Sequence, residues 1–147
     1  MLNLSLKGNV YEDLYPTGSQ PGKLYGMCKV HKPGYPLRPV ISMINTAEYK
    51  LAKWLDNFIK PNIPKQYSVS STGEFLNGLN DSIFESTDRI VSFDVVSLYT
   101  NIPLAETIDM VVDAVYAEES KRVPPVPKGI FKKLLKIATS GIFMYQN

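Results

Sequence analysis

The spacing of apolar residues predicts a helix from about residue 46 to residue 59. Asn45 is expected to cap its N-terminus, with Glu48 three residues on in the capping-box position. The apolar stripe of this helix consists of Ala47, Leu51, Leu55 and Phe58. Three lysines lie away from the stripe: Lys50, Lys53 and Lys60. The helix is therefore predicted to bury one face and to expose the other.

Three more helices are predicted downstream. Ser71, with Glu74 in the capping-box position, is expected to begin the next one. Residues 101–103 open another, with Pro103 near its first turn. Its inward-facing residues are predicted to be Leu104, Ile108, Val111, Val112 and Val115. A proline-rich connector over residues 119–128 leads to a basic amphipathic helix from Ile130 to about Ala138.

Shorter apolar runs predict three strands. Two of them, residues 24–30 and 37–42, flank a turn-rich segment and are expected to pair. Because Pro36 and Pro39 cannot donate ladder hydrogen bonds, the second strand is predicted to lie at a sheet edge. The third run, Ile90 to Val96, is predicted to be a buried strand.

Length and composition indicate a globular domain. The chain has 147 residues, of which 44% are hydrophobic and 20% charged, so a sizeable core is expected and general disorder is not. No apolar run approaches the length of a membrane span, and the N-terminus lacks the apolar core of a signal peptide. With Cys28 as the only cysteine, an internal disulfide and a zinc cluster are excluded, and a reducing intracellular compartment is expected.

Charges are segregated along the chain. Residues 23–60 contain seven Lys/Arg and two acids. Residues 74–119 contain ten acids and one base, Arg89, and residues 121–136 contain six Lys/Arg and no acid. These blocks are either solvated faces that balance one another or the contact surface of a polyanion. Because the two basic blocks flank a carboxylate that is a candidate metal ligand, the interpretation as a polyanion-binding surface is favoured.

That carboxylate is Asp94, inside the apolar run 90–96. An ionised carboxylate in a buried strand needs compensation, and a divalent metal supplies it. The two-metal chemistry of nucleotide addition would use Asp94 and the backbone carbonyl of Val95 as Mg²⁺ ligands. Alternatively, Asp94 ends the strand or pairs with Arg89. Tyr99 lies five residues downstream, a spacing that resembles the first catalytic motif of reverse transcriptases, in which the aromatic contacts the sugar of the incoming nucleotide. The alternative is a core tyrosine at a corner.

The segment between the first two strands is basic. If Pro33 and Gly34 form the turn, Lys29 falls opposite Arg38, and like charges facing each other across strands are destabilising. A triphosphate between them would relieve the repulsion, because Lys supplies a point charge and Arg a planar fork for phosphate oxygens. The alternative is an exposed, solvated loop.

Three blocks, residues 24–33 (LYGMCKVHKP), 36–42 (PLRPVIS) and 92–104 (SFDVVSLYTNIPL), resemble the reverse transcriptase of Penelope-like retroelements, a family similar to telomerase reverse transcriptase. The likeness runs from about Gly22 to Tyr145, and the sequence departs at Cys28, where the family usually has proline. It implies an α+β fold, a partial right-hand polymerase with fingers and an incomplete palm. In that division residues 1–22 are a lead-in, 23–88 are fingers-like and 89–147 begin the palm.

The resemblance also implies roles for individual residues. Asp94 is expected to be catalytic and a ligand of Mg²⁺, of which the complete enzyme binds two. Lys29 and Arg38 would meet the incoming deoxynucleoside triphosphate, and Tyr99 would exclude a 2′-hydroxyl. The expected partners are an RNA template and a DNA primer. Weaker nucleic-acid contacts are assigned to Lys32, Lys50, Lys53, Lys132 and Lys133.

The family continues with a glycine-rich block, an Asp-Asp hairpin, a thumb and often a GIY-YIG endonuclease, none of which lies within these residues. The chain is therefore expected to be inactive alone and intracellular, with a nuclear location. One alternative is a catalytically dead or repurposed remnant that at most binds nucleic acid. Another is an unstable fold, because the strand at residues 90–96 would have open edges.

Overall fold

The computed structural model describes residues 10–16, 18–66 and 68–145, so part of the predicted lead-in 1–22 lies outside the described residues. Within them the chain forms six α-helices and a three-stranded sheet, an α+β arrangement as predicted. In chain order the elements are α1 (Val10–Leu14), β1 (Gly22–Cys28), β2 (Leu37–Ser42), α2 (Tyr49–Ile59), a 3₁₀ turn (Lys60–Asn62), α3 (Thr72–Asn80), α4 (Leu98–Asn101), α5 (Leu104–Val115), α6 (Lys128–Ala138) and β3 (Phe143–Tyr145).

The hydrophobic core lies between α2, α5 and α6. Each helix contributes one apolar stripe, and the connector before α6 adds a valine. Phe131 is fully buried at 0% exposure and has the rings of Trp54 and Tyr116 around it, with centroid distances of 6.4 and 5.7 Å. The core residues are Leu51, Leu55, Phe58, Ile108, Val112, Val115, Val126, Phe131, Leu134 and Leu135. The stripes predicted for α2 and α5 are confirmed except at Ala47 and Leu104, which are exposed, and Val111, which is partly buried.

The connector between α5 and α6 is fastened to the end of α2 by Asn62. Its Nδ2 donates to the carbonyl oxygens of Phe58 (2.8 Å) and Arg122 (2.9 Å), and its Oδ1 accepts from the Lys121 N–H (2.8 Å). The Arg122 guanidinium lies 5.0 Å from the centroid of the Phe58 ring. One amide side chain thus links two segments that are about 60 residues apart.

Ion pairs align α5 with α6 at the surface. Lys128 pairs with Asp113 at 2.8 Å, and Lys132 pairs with Asp109. All four side chains are substantially exposed, so each pair stabilises the fold by at most about 1 kcal/mol. The two acids lie on the solvated face of α5, and they neutralise part of the basic helix α6.

The sheet has the order β2-β1-β3. Strands β1 and β2 are antiparallel, and β3 pairs with β1 in parallel, with Gly22 opposite Phe143. The edge position of β2 is confirmed, and Pro39 sits in it opposite Gly26. Strand β3 was not predicted, because three residues are too few for a recognisable alternation. Its pairing connects the end of α6 back to the sheet.

The predicted start of α2 is wrong. Asn45 has a left-handed backbone (φ 65°) and its carbonyl oxygen accepts from the Gln20 N–H, so it forms part of a tight bend and not a helix cap. The helix begins at Tyr49, after Glu48, which has no side-chain capping hydrogen bond. A Cβ on Gly18 would overlap the Asn45 carbonyl, so this close approach between the N-terminal segment and the bend requires glycine.

The predicted cap of α3 is confirmed. The Ser71 hydroxyl accepts from the Glu74 N–H at 3.1 Å. The Glu74 carboxylate turns back to Ser70, whose N–H and hydroxyl both donate to it. These hydrogen bonds from Ser70 lower the pKa of the Glu74 carboxyl. The capping-box pattern therefore located this helix correctly.

The buried strand predicted at Ile90 to Val96 is wrong. These residues form no ladder, and every residue from 80 to 106 is exposed, with Phe93 at 91%. A strand is stable only when a neighbouring backbone pairs with it, and none of the described residues does so here.

Among residues 10–16, 18–66 and 68–145, no helix is long and apolar enough to cross a bilayer.

We expect Asn62→Ala to lower the free energy of unfolding by about 1–3 kcal/mol, because three hydrogen bonds of its side chain are lost together. Urea unfolding followed by circular dichroism measures this change. Asn57→Ala, on an exposed position of α2, is the matched control and should change stability by less than about 0.5 kcal/mol. Equal effects of the two substitutions would show that Asn62 does not fasten the connector.

Tyr116 should give the chain an alkaline transition. Burial raises the pKa of Tyr116 to about 12, while its hydroxyl donates to the Val126 carbonyl oxygen. Because the folded pKa exceeds the unfolded value of about 10, this stabilisation is present below pH 10 and is lost as the pH rises to about 12. Ultraviolet titration of tyrosinate should show a late step that Tyr116→Phe removes. Substitution of the exposed Tyr99 by Phe should leave that step in place.

Candidate functional site

The tip of the β1–β2 hairpin is a six-residue turn. The Lys29 N–H donates to the Pro36 carbonyl oxygen at 3.0 Å, which closes the ladder one step beyond the strands. Within the turn, the N–H of Lys32 donates to the Lys29 carbonyl oxygen and that of Tyr35 donates to the Lys32 carbonyl oxygen. Gly34 and Tyr35 have positive φ angles of 76° and 46°. Two successive left-handed residues reverse the chain here.

This turn corrects the predicted register. Arg38 faces Met27, and not Lys29 as a two-residue turn at Pro33-Gly34 would require. Compared with a turn at Pro33-Gly34 alone, the turn over residues 30–35 takes three more residues on the β1 side and one more on the β2 side, so the pairing is shifted by two residues. Side chains alternate between faces with a period of two, so a shift of two keeps Lys29 and Arg38 on one face as diagonal neighbours.

A shallow depression of about 80 Å³ lies on this part of the hairpin, lined by Met27, Cys28, Lys29, His31 and Arg38. Lys29 is half-buried, whereas Arg38 and His31 are exposed and can reach a ligand. His31 adds a third nitrogen-bearing side chain to the two cations that the sequence singled out. The arrangement presents donors and positive charge to one small volume, which suits an oxyanion such as a phosphate.

The hairpin that carries this depression has no acidic residue of its own. No Asp or Glu occurs between Asp13 and Glu48, a stretch that includes both strands and the turn. The ion pairs between described residues engage Lys60, Lys128 and Lys132, so Lys29 and Arg38 have no acidic partner among them. The tip of the hairpin is therefore electropositive.

Asp94 lies in a different environment. It is exposed in the extended segment before α4, and it forms no ion pair with Arg89 or any other described residue. The alternative pairing with Arg89 is thus wrong, and so is the buried setting that made Asp94 conspicuous. Val95 is exposed as well, at the same open segment.

Tyr99 is at a corner, as the second interpretation had it, but it is not a core residue. Ser97 has a left-handed backbone (φ 52°) and begins the four-residue α4, while the Asn101 side chain donates to the Val96 carbonyl oxygen at 2.8 Å. This local hydrogen bonding holds the corner and leaves Tyr99 90% exposed. Its ring is available to contact a ligand.

The described residues do not make a complete metal site. They contain no group of three or more His, Cys, Asp or Glu side chains that could hold an ion. Asp94 and the Val95 carbonyl would fill only two positions of the six that Mg²⁺ prefers. No catalytic step can therefore be derived from these two residues.

The remaining predicted contacts are scattered. Lys53 lies 5.3 Å from the centroid of the Tyr49 ring, Lys132 is paired with Asp109, and Lys133 is exposed on α6. Lys32 is exposed in the hairpin turn and Lys50 is half-buried on α2. The structure thus gathers Lys29, His31 and Arg38, and it leaves Asp94 and Tyr99 in an open stretch that is not packed into the same site.

No protein-family model matches the chain, and no curated protein and no solved structure matches it. The resemblance of the three sequence blocks to a polymerase family is therefore a prediction that rests on those blocks alone.

The anion site at the hairpin tip makes a quantitative prediction. We expect Lys29→Gln and Arg38→Gln each to weaken binding of inorganic triphosphate roughly 10-fold, because each removes one charge-assisted contact. Isothermal titration calorimetry at low salt measures the affinity. Lys65→Gln, at an exposed position of the loop between α2 and α3, should leave it unchanged. If all three variants bind alike, the attraction is only the general positive charge of the chain.

Proposed function

We propose that this chain is the fingers and the beginning of the palm of an RNA-directed DNA polymerase of the Penelope-like type. One observation carries the proposal: Lys29, His31 and Arg38 line the same depression on an acid-free hairpin. These residues lie in or between the two sequence blocks that resemble the family's fingers. Their positive charges and N–H donors suit the triphosphate of an incoming nucleotide.

In this proposal the hairpin binds and orients the nucleotide. The Lys29 ammonium is a compact point charge, and the Arg38 guanidinium offers parallel donors to two phosphate oxygens. Phosphoryl transfer depends mainly on positioning and charge stabilisation, so holding the triphosphate is a large part of the work. Tyr99 would lie under the sugar and exclude a 2′-hydroxyl, and its exposed ring supports that role.

The metal site belongs to the proposal as well. Asp94 and the Val95 carbonyl would contribute two ligands to a pair of Mg²⁺ ions, with further carboxylates from beyond the described residues. When bound, the ions would stabilise charge on the attacking and leaving oxygens. The chain's own contribution is the carboxylate of Asp94, held just before the corner that α4 forms.

The exposed stretch from 80 to 106 fits a palm segment that pairs elsewhere. Its apolar residues, among them Ile90, Phe93 and Val96, are exposed to solvent. Apolar and polar residues do not alternate regularly along this run, which is typical of a strand that is buried on both faces. A neighbouring strand would bury them and bring further carboxylates towards Asp94. An RNA template, a DNA primer and a nuclear location are parts of the same proposal.

A second candidate function is a nucleic-acid-binding remnant without chemistry. The observation that favours it concerns Asp94, which belongs to no group of three or more His, Cys, Asp or Glu side chains among the described residues. Such a protein would keep the basic hairpin and bind phosphates without transferring them. The two candidates differ in a single property, template-directed incorporation.

The test is to express the chain in the frame of its own transcript, with whatever that transcript encodes on either side, and to measure Mg²⁺-dependent incorporation of deoxynucleotides on a primed RNA template. Asp94→Ala should reduce the rate roughly 10²–10³-fold, because a metal ligand supports several kcal/mol of transition-state stabilisation. Asp81→Ala, an exposed acid at the end of α3, is the control and should leave the rate unchanged.

Incorporation that survives Asp94→Ala would remove Asp94 from the metal site. Absence of incorporation by the wild-type product, together with intact binding of nucleic acid, would instead support the remnant.

A further inference from the structure

The register of the sheet divides it into two chemically different faces. Alternation places Lys23, Tyr25 and Met27 of β1 on one face, with Lys29 just after the strand, and with Arg38, Val40 and Ser42 of β2 and Met144 of β3 beside them. These eight residues form the basic face. The opposite face carries Leu24, Leu37, Ile41, Phe143 and Tyr145, and it has no charged residue.

The basic face combines three cations with one accessible aromatic ring. Lys23, Lys29 and Arg38 have no acid near them in sequence, and none of the three forms an ion pair with a described residue. Tyr25 is 46% exposed and lies opposite Val40, between Lys23 at one end and the Met27–Arg38 pair at the other. A flat aromatic ring flanked by cations is the arrangement on which unpaired bases stack.

The dimensions of this face suit a short single strand. From Lys23 to Lys29 the strand advances six residues, or roughly 20 Å at about 3.3 Å per residue. Sheets that bind single-stranded RNA stack two or three bases over a comparable width. A double helix would keep its bases stacked on each other and would leave the Tyr25 ring without a partner.

We propose that the basic face binds single-stranded nucleic acid, with Tyr25 stacked on a base and Lys23 contacting a phosphate. The choice of nucleic acid as the partner rests on the proposed function, whereas the face itself is defined by the sheet register. The basic face adjoins the anion depression at the hairpin tip. Lys29 and Arg38 therefore form the boundary between the nucleic-acid site on the face and the phosphate site in the depression.

The experiment measures fluorescence anisotropy of a labelled oligouridylate of about 15 nucleotides with the 147-residue chain, without Mg²⁺ or nucleotides, over a series of salt concentrations. Tyr25→Ala should weaken binding roughly 10-fold, and Tyr25→Phe should retain it because the ring is kept. Tyr145→Ala removes an exposed tyrosine from the opposite face of the same sheet and should have no effect.

Lys23→Gln tests the phosphate contact. It should lower the slope of log affinity against log salt by roughly one, because one fewer counterion is released on binding. Lys65→Gln, at an exposed position of the loop between α2 and α3, should leave the slope unchanged. Since Lys23 is an exposed residue at the start of β1, its replacement tests the face even if Tyr25→Ala disturbs the fold.

Three results would overturn the proposal. They are equal losses for Tyr25→Ala and Tyr145→Ala, binding of a duplex of the same length as tightly as the single strand, and tighter binding to phosphatidylserine vesicles than to the oligonucleotide. The outcome is separable from that of the proposed function. If the protein does not incorporate nucleotides but its RNA binding depends on the Tyr25 ring, this inference stands and the proposed function fails. If it incorporates nucleotides but its RNA binding does not depend on that ring, only this inference fails.

Discussion

The burial of Phe131 between α2, α5 and α6 is the interaction on which the rest of the molecule depends. Its ring is enclosed by the stripes of all three helices, and Trp54 and Tyr116 complete the aromatic cluster. Full burial of an aromatic side chain of this size contributes on the order of 2–3 kcal/mol. Since α2 follows β2 and α6 precedes β3, the same packing fixes both ends of the sheet.

The sheet depends on this bundle because it has little core of its own. Most residues of its three strands are exposed, and it is held at the bend around Asn45 and by the return of β3 to β1. Both faces are consequently accessible. The apolar core and the unpaired positive charge are thereby separated: the helices bury apolar surface, and the hairpin presents charge.

Charge follows the same division. The basic residues of the hairpin have no acidic partner among the described residues, whereas on α6 the lysines at 128 and 132 are neutralised by α5. Unpaired cations close together raise the local potential and favour an anionic ligand. The open stretch around Asp94 carries more acids than bases, and its residues are exposed. A metal-dependent reaction would require those two regions to be brought together by further structure.

Local physics in the sequence determined most of the helix stripes, the α3 cap and the two hairpin strands, because these depend on spacing and on neighbouring residues. Lys29 and Arg38 share a face because of the register that the turn sets. The exact hairpin register depended on a six-residue turn with two left-handed residues, which spacing alone could not specify. The strand predicted at residues 90–96 failed for a related reason. An apolar run records a tendency to be buried, but only a paired neighbouring backbone makes it a strand, and that partner is a property of the tertiary structure.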